Sequence, residues 1–167
     1  FGGFGPQVAG EFDRSNYGIY LDLEADVTER LLLGAAIRYE DFEDFGSTVN
    51  GKLSARFKLT DDFAVRGTAS TGFRAPTPGQ SNISNISTVA GDDGILVQRG
   101  TIPPTNPVAV SKGGKALKEE ESTNFSVGIV WDLTDNISIT ADYFQIELED
   151  RITQSATKVL TDQDIQD

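Results

Sequence analysis

From Val49 to Leu59 every second residue is apolar or small: Val49, Gly51, Leu53, Ala55, Phe57 and Leu59. Asn50, Lys52, Ser54, Arg56 and Lys58 fill the places between. Successive side chains of a strand point to opposite faces, so this segment reads as a strand with one greasy face and one wet, partly charged face. The same pattern recurs along the chain. It restricts the fold to a sheet whose two faces meet different surroundings.

Six such strands are predicted. Residues 14–27 set Tyr17, Ile19, Leu21, Leu23 and Ala25 against Gly18, Tyr20, Asp22 and Glu24. Residues 31–41 set Leu31, Leu33, Ala35, Ile37 and Tyr39 against Gly34, Ala36, Arg38 and Glu40, with Leu32 off pattern. Residues 63–74 and 123–133 alternate in the same way. The last strand, 137–152, changes phase midway: Ile137, Ile139, Ala141 and Tyr143 are odd-numbered, whereas Phe144, Ile146 and Leu148 are even-numbered. A one-residue slip turns every side chain over. A bulge near Tyr143 and Phe144, or an upper half that leaves the apolar surroundings, is the expectation.

The connections alternate in length. Thr28-Glu29, Thr60-Asp61-Asp62 and Thr134-Asp135-Asn136 read as short turns, and a weak repeat (apolar, Thr, polar residues, apolar) runs through all three. Residues 42–48 read as a loop at the opposite rim. Residues 75–120, rich in Gly, Pro, Asn and Ser, read as a long irregular excursion. Aromatic residues gather at strand ends: Phe63 and Trp131 by the short turns, and Tyr17, Tyr39, Phe73 and Phe125 toward the other rim. One rim of tight turns, one of long loops and two aromatic girdles suit an antiparallel barrel that crosses an outer membrane. A soluble β-sandwich used for binding or adhesion also has one apolar face, and stands beside it as an alternative.

Composition narrows the chemistry. The chain of 167 residues has a net charge of −12, which argues against nucleic acid as a partner. It has no Cys and no His, removing disulfides, thiolate chemistry and the commonest general base and transition-metal ligand. No enzymatic activity and no cofactor are expected. No apolar run approaches the roughly 20 residues of a spanning helix. The chain starts at Phe1, lacks Met and shows no signal peptide.

Three stretches resemble one family. They are Leu33-Gly34-Ala35-Ala36-Ile37-Arg38-Tyr39-Glu40-Asp41-Phe42 with Asp44-Phe45-Gly46, then Ser70-Thr71-Gly72-Phe73-Arg74-Ala75-Pro76, then Asp142-Tyr143-Phe144 through Glu149-Asp150-Arg151-Ile152. In this order and spacing they are similar to the barrel of TonB-dependent outer-membrane receptors. The resemblance covers residues 14–152. It implies an all-β, antiparallel, up-and-down transmembrane barrel segment, six strands of about 22 around a plug. It further implies uptake of a scarce ligand such as a ferric chelate, cobalamin or saccharide in the outer membrane of a Gram-negative bacterium. The partners it implies are lipid, the protein's own plug, the TonB complex and the small-molecule ligand. Neither a plug nor the remaining strands are legible here, so the chain reads as an internal barrel piece. Residues 1–13 would end one loop, and 153–167 would begin an extracellular one. A passive porin is the other alternative.

Arg38, Lys52, Arg56, Arg66 and Arg74, with Lys58, fall on the inward face of the second to fourth strands. They are the candidate ligand-binding or plug-facing residues; ordinary charge on a water-facing barrel wall is the simpler and favoured explanation. Asp92-Asp93-Gly94 lacks the remaining ligands of a cation loop. Gly113-Gly114-Lys115 lacks the first Gly and the Ser or Thr of a phosphate loop. Glu119-Glu120-Glu121 reads as a solvated strand entrance. Thr161, followed by acidic residues, is a possible helix cap.

Overall fold

The computed structural model describes residues 10–91 and 94–159. The expectations for Asp92, Asp93, Thr161 and much of the 1–13 loop lie outside them. In chain order the elements are β1 (Asn16–Thr28), β2 (Leu31–Phe42), β3 (Gly46–Lys58), β4 (Phe63–Arg74), α1 (Pro78–Asn82), β5 (Asn85–Ala90), β6 (Leu96–Thr101), α2 (Pro107–Ser111), β7 (Glu120–Thr134) and β8 (Ile137–Glu149). They fall into two compact units. One holds residues 15–74 and 119–151; the other holds 1–14, 75–118 and 152–167.

The first unit is one antiparallel sheet in the order β1-β2-β3-β4-β7-β8. It is an open sheet, with β1 and β8 as its edges. Because neighbours run antiparallel, the three short turns lie at one end. The β2–β3 turn lies at the other, where the chain also leaves β4 after Arg74 and enters β7 at Glu120. Thr28 Oγ1 accepts from the Arg30 and Leu31 amides at 3.2 and 3.0 Å, and Thr134 Oγ1 accepts from the Asn136 amide at 3.3 Å. The repeated Thr therefore closes two of the three turns. The β3–β4 turn closes instead through the backbone, Leu59 and Thr60 both donating to the Phe63 carbonyl.

Two expectations are corrected, and of the two alternatives at Tyr143 and Phe144 the bulge is rejected. The 42–48 loop is a tight turn, because the ladder runs up to Phe42 opposite Gly46. Gly46 takes φ +105°, a conformation that suits a three-residue hairpin closed by a glycine. The 75–120 excursion is not structureless: it carries α1, the β5–β6 hairpin and α2. Thr77 and Gln80 form a capping box on α1, and Asn106 caps α2. No bulge interrupts Tyr143 and Phe144, where the β7–β8 register is continuous. The bulges fall beside the short turns, between Asp26 and Thr28 and between Asp132 and Thr134. At the phase change β8 simply keeps its register. Phe144, Ile146 and Leu148 join the polar face opposite Ser126, Asn124 and Ser122, while Gln145, Glu147 and Glu149 join the other face.

The apolar face is uncovered: Ile19, Leu53 and Tyr143 are 71%, 65% and 61% exposed. Its upper edge slants. On β8 the last apolar residue is Tyr143, opposite Val127. On β7 it is Phe125, one pleat higher. On β4 it is Phe73, opposite Glu121 and higher again. Val49 on β3 and Tyr39 on β2 are level, and Tyr17 on β1 lies opposite Asp41, one pleat above. At the lower end Phe63 and Trp131 pack edge to face, with centroids 6.2 Å apart.

One ladder is short. β3 and β4 pair from Lys58–Ala64 to Lys52–Ser70 and no further, although both strands continue. At that point the Gly51 amide donates to Thr71 Oγ1 at 3.0 Å. Phe42 stacks on Phe45 and meets Phe73 edge to face, with centroids 4.6 and 5.7 Å apart.

Candidate functional site

The polar face of the sheet collects the candidate residues, since the alternation that turns Leu53 and Phe57 one way turns Lys52 and Arg56 the other. The five candidates behave differently. Arg38 Nη2 donates to Glu40 Oε1 at 2.8 Å, two residues along the same strand. Arg74 grips Glu120 on the neighbouring strand through Nη2 at 3.0 Å and Nε at 2.9 Å. Both carboxylates are nearly buried, each side chain 9% exposed. Arg66 reaches Asp142, with Nε to Oδ1 at 2.9 Å and Nη2 to Oδ2 at 2.6 Å. Charged, two-pronged pairs of this kind hold geometry well.

Among the described residues Lys52 and Arg56 have no ion-pair or side-chain hydrogen-bond partner, and both are exposed. Lys58 is alike. The wall thus separates basic residues that are already neutralised on the sheet from a column on β3 that is not. Glu40, Glu120 and Asp142 are the residues missed in the sequence. Glu40 sits two residues from Arg38 on the same strand face, whereas the pairings of Glu120 and Asp142 depend on register across strands far apart in the chain.

Charge is arranged in rungs across β1, β2 and β3. Asp22, Ala36 and Lys52 share one rung; Glu24, Gly34 and Ser54 the next; Asp26, Leu32 and Arg56 the third. Continuing that third rung, Arg56 pairs directly with Arg66, then Gly128, then Asp142. The residues between the acidic column and the basic one are Ala36, Gly34 and Leu32, which carry no polar group. Thr68 and Ser126 hydroxyls join at 2.6 Å on the adjacent rung. Among the described residues, no cluster of three acidic side chains is arranged to hold a metal ion.

Residues 1–164 match the family described as TonB dependent receptor-like, beta-barrel. The chain belongs to that family. A comparison of the sequence with curated proteins finds no match. Among solved structures the chain resembles the siderophore receptor PirA from Pseudomonas aeruginosa, at 20% identity and a TM-score of 0.64 over 81% of this chain and 24% of that one. It also resembles PirA from Acinetobacter baumannii, at 21% identity and 0.65 over 90% and 21%. A mutant of the ferric enterobactin receptor PfeA from Pseudomonas aeruginosa gives 19% and 0.64 over 88% and 20%. At these identities the likeness shows the fold, an antiparallel barrel wall. The chain spans about a quarter or less of the length of these proteins.

Proposed function

We propose that this chain is part of the barrel wall of a Gram-negative outer-membrane receptor that binds a scarce ligand and takes it up with TonB-supplied energy. The match of residues 1–164 to the receptor barrel family carries this reading. The apolar face meets lipid and the polar face lines the lumen. The slanting apolar edge supports that orientation, because strands in such barrels tilt by about 35–45° and a level membrane then cuts successive strands at shifted heights. Aromatic residues at both ends of the apolar band suit the two interfaces. The short turns are periplasmic, and the 75–119 excursion, with the segment from 153 onward, is extracellular.

The plug and the TonB complex act through parts of the receptor outside this chain. Arg38, Lys52, Arg56, Arg66 and Arg74 line the lumen side, where plug or ligand is met. The solved relatives include siderophore and ferric enterobactin receptors, which favours a ferric chelate over cobalamin or a saccharide. The test is uptake of radiolabelled ferric chelate by cells with and without the parent gene, in the presence and absence of TonB. Uptake that needs both supports the reading. Passive flux independent of TonB would instead make the parent a porin.

A further inference from the structure

We infer that the gap between the upper halves of β3 and β4 is a seat for the hydroxyl groups of an uncharged, sugar-bearing lipid of the outer leaflet. The inference rests on the barrel-wall reading above, and goes beyond it in naming a lipid site within the wall itself.

The gap follows from the backbone. β3 extends above Lys52 and β4 above Ser70 without a rung between them. Odd-numbered residues of β3 aim their backbone groups at β4. The Gly51 amide donates across to Thr71 and the Leu59 amide to Phe63, whereas the Lys58 amide donates the other way, to Arg30. On the far side the Phe63 carbonyl faces β3, and the Asp62 carbonyl accepts from Asp132, next to β4 on its other flank. By the same period of two, Ser47 and Val49 on one lip and Thr71 and Phe73 on the other turn N–H and C=O into the gap. Among the described residues the ladder gives none of these four a backbone partner across it. Val49 and Phe73 are the uppermost apolar residues on the outward face of their strands, so the gap opens at the outer edge of the lipid band. Unpaired backbone groups are costly there. Thr48, between Ser47 and Val49, adds a hydroxyl with the same need: the residue is 7% exposed, and Oγ1 has no hydrogen-bond partner among the described residues.

The foot of the gap shows what fits it. Thr71 Oγ1 takes the Gly51 amide at 3.0 Å, in the place of a backbone carbonyl. A hydroxyl both donates and accepts, so one hydroxyl bridges an N–H on one lip to a C=O on the other. An inserted strand would need two strand spacings, roughly 9.6 Å. The Gly51–Thr71 bridge holds the lips closer than that. Charge argues against phosphate. On the outward face the gap is flanked by Asp41, opposite Ser47, and by Glu121, opposite Phe73. Val49, 63% exposed, and Phe73 offer an apolar surface to acyl chains just below. Neutral hydroxyls above acyl chains are the chemistry of a glycolipid.

The experiment is amide hydrogen exchange of the intact parent receptor in nanodiscs, read residue by residue by electron-transfer fragmentation. The discs hold phosphatidylcholine alone, phosphatidylcholine with monogalactosyl diacylglycerol, or phosphatidylcholine with phosphatidic acid. The amides of Ser47, Val49, Thr71 and Phe73 should exchange at least threefold more slowly with the galactolipid than in phosphatidylcholine alone, and phosphatidic acid should leave them unchanged. Equal exchange in all discs would overturn the proposal, and so would equal slowing by phosphatidic acid. Amides already as protected as that of Leu53 in phosphatidylcholine alone would mean that the gap is closed, which overturns it too. Leu53 and Ala55, inside the ladder, separate the two levels. If they are protected in every disc, a failure at the gap sinks this inference alone; if they exchange freely, the barrel-wall reading fails beneath it.

Discussion

Arg66 on β4 spans the whole width of β7 to hold Asp142 on β8, and it does so over the bare backbone of Gly128. A methyl group built on Gly128 would fall 1.9 Å from Asp142 Oδ1 and 2.9 Å from the Ala141 carbonyl oxygen. The missing side chain is what lets three strands share one ion pair.

Gly128→Ala should therefore destabilise the folded parent receptor by displacing the Asp142 carboxylate. In an Asp142→Ala background the same change should cost less, because only the Ala141 carbonyl contact remains. Denaturation of the four proteins of this cycle in detergent measures the coupling. Equal costs in both backgrounds would show that Gly128 is not there for the ion pair.

Asp142→Ala alone should cost little through the lost ion pair itself, because exposed pairs contribute little to stability. It should also leave Arg66 and Arg56 facing each other without a counter-charge. Adding Arg56→Gln to Asp142→Ala should recover part of the loss. A double variant less stable than Asp142→Ala by the full cost of Arg56→Gln measured alone would refute the like-charge account.

Leu53 and Lys52 are neighbours in the chain and opposites in space. Leu53→Arg places a charge in the apolar band and should cost about 2–4 kcal/mol near the bilayer midplane. Arg56→Leu, on the polar face, should leave barrel folding in lipid vesicles close to wild type. The reverse ranking would invert the facing of the wall.

Protease added to intact cells should cut the parent within residues 75–119 and spare Asp61 and Asp62. Cleavage at the Asp61–Asp62 turn under those conditions would place the short turns outside and reverse the topology.

Residues 1–167 expressed alone should be insoluble without detergent. Ile19, Leu53, Phe125 and Tyr143 stand exposed on one face, and β1 and β8 present unpaired edges. A monodisperse monomer in plain buffer with a cooperative melt would contradict this.

Much of the wall was legible in the sequence because a period of two is a strong local signal. The ends of β4 were read to the residue, as were the faces of Lys52, Leu53, Arg56 and Val65. What was not legible depends on partners far away in the chain. Glu40 is a local partner of Arg38, two residues along β2, but Glu120 and Asp142 meet Arg74 and Arg66 only through the register. The Tyr143–Phe144 phase change leaves two readings open in the sequence, a bulge or an upper half that leaves the apolar surroundings, and only the continuous register rejects the bulge. Instead β7 and β8 both turn polar outward above Phe125 and Tyr143, so the ladder had no reason to slip. The 42–48 segment reads as a loop in the sequence, where one glycine with positive φ, Gly46, suffices to turn the chain.

Above the early end of the β3–β4 ladder at Lys52 and Ser70, the β2–β3 and β4–β7 hairpins are joined by the Gly51–Thr71 hydrogen bond and the Phe42–Phe73 ring contact in place of backbone rungs. A residue inserted at the 43–45 tip shifts the β2–β3 hairpin against itself and does not pass its register on to β4, since no rung above Gly51 transmits it. A change in the 75–119 excursion is likewise absorbed between β4 and β7. Side-chain contacts of this kind tolerate a change of length at the 43–45 tip better than a backbone ladder would, while the rungs from Lys52 to Lys58 stay in step and hold the lower wall as a fixed chassis.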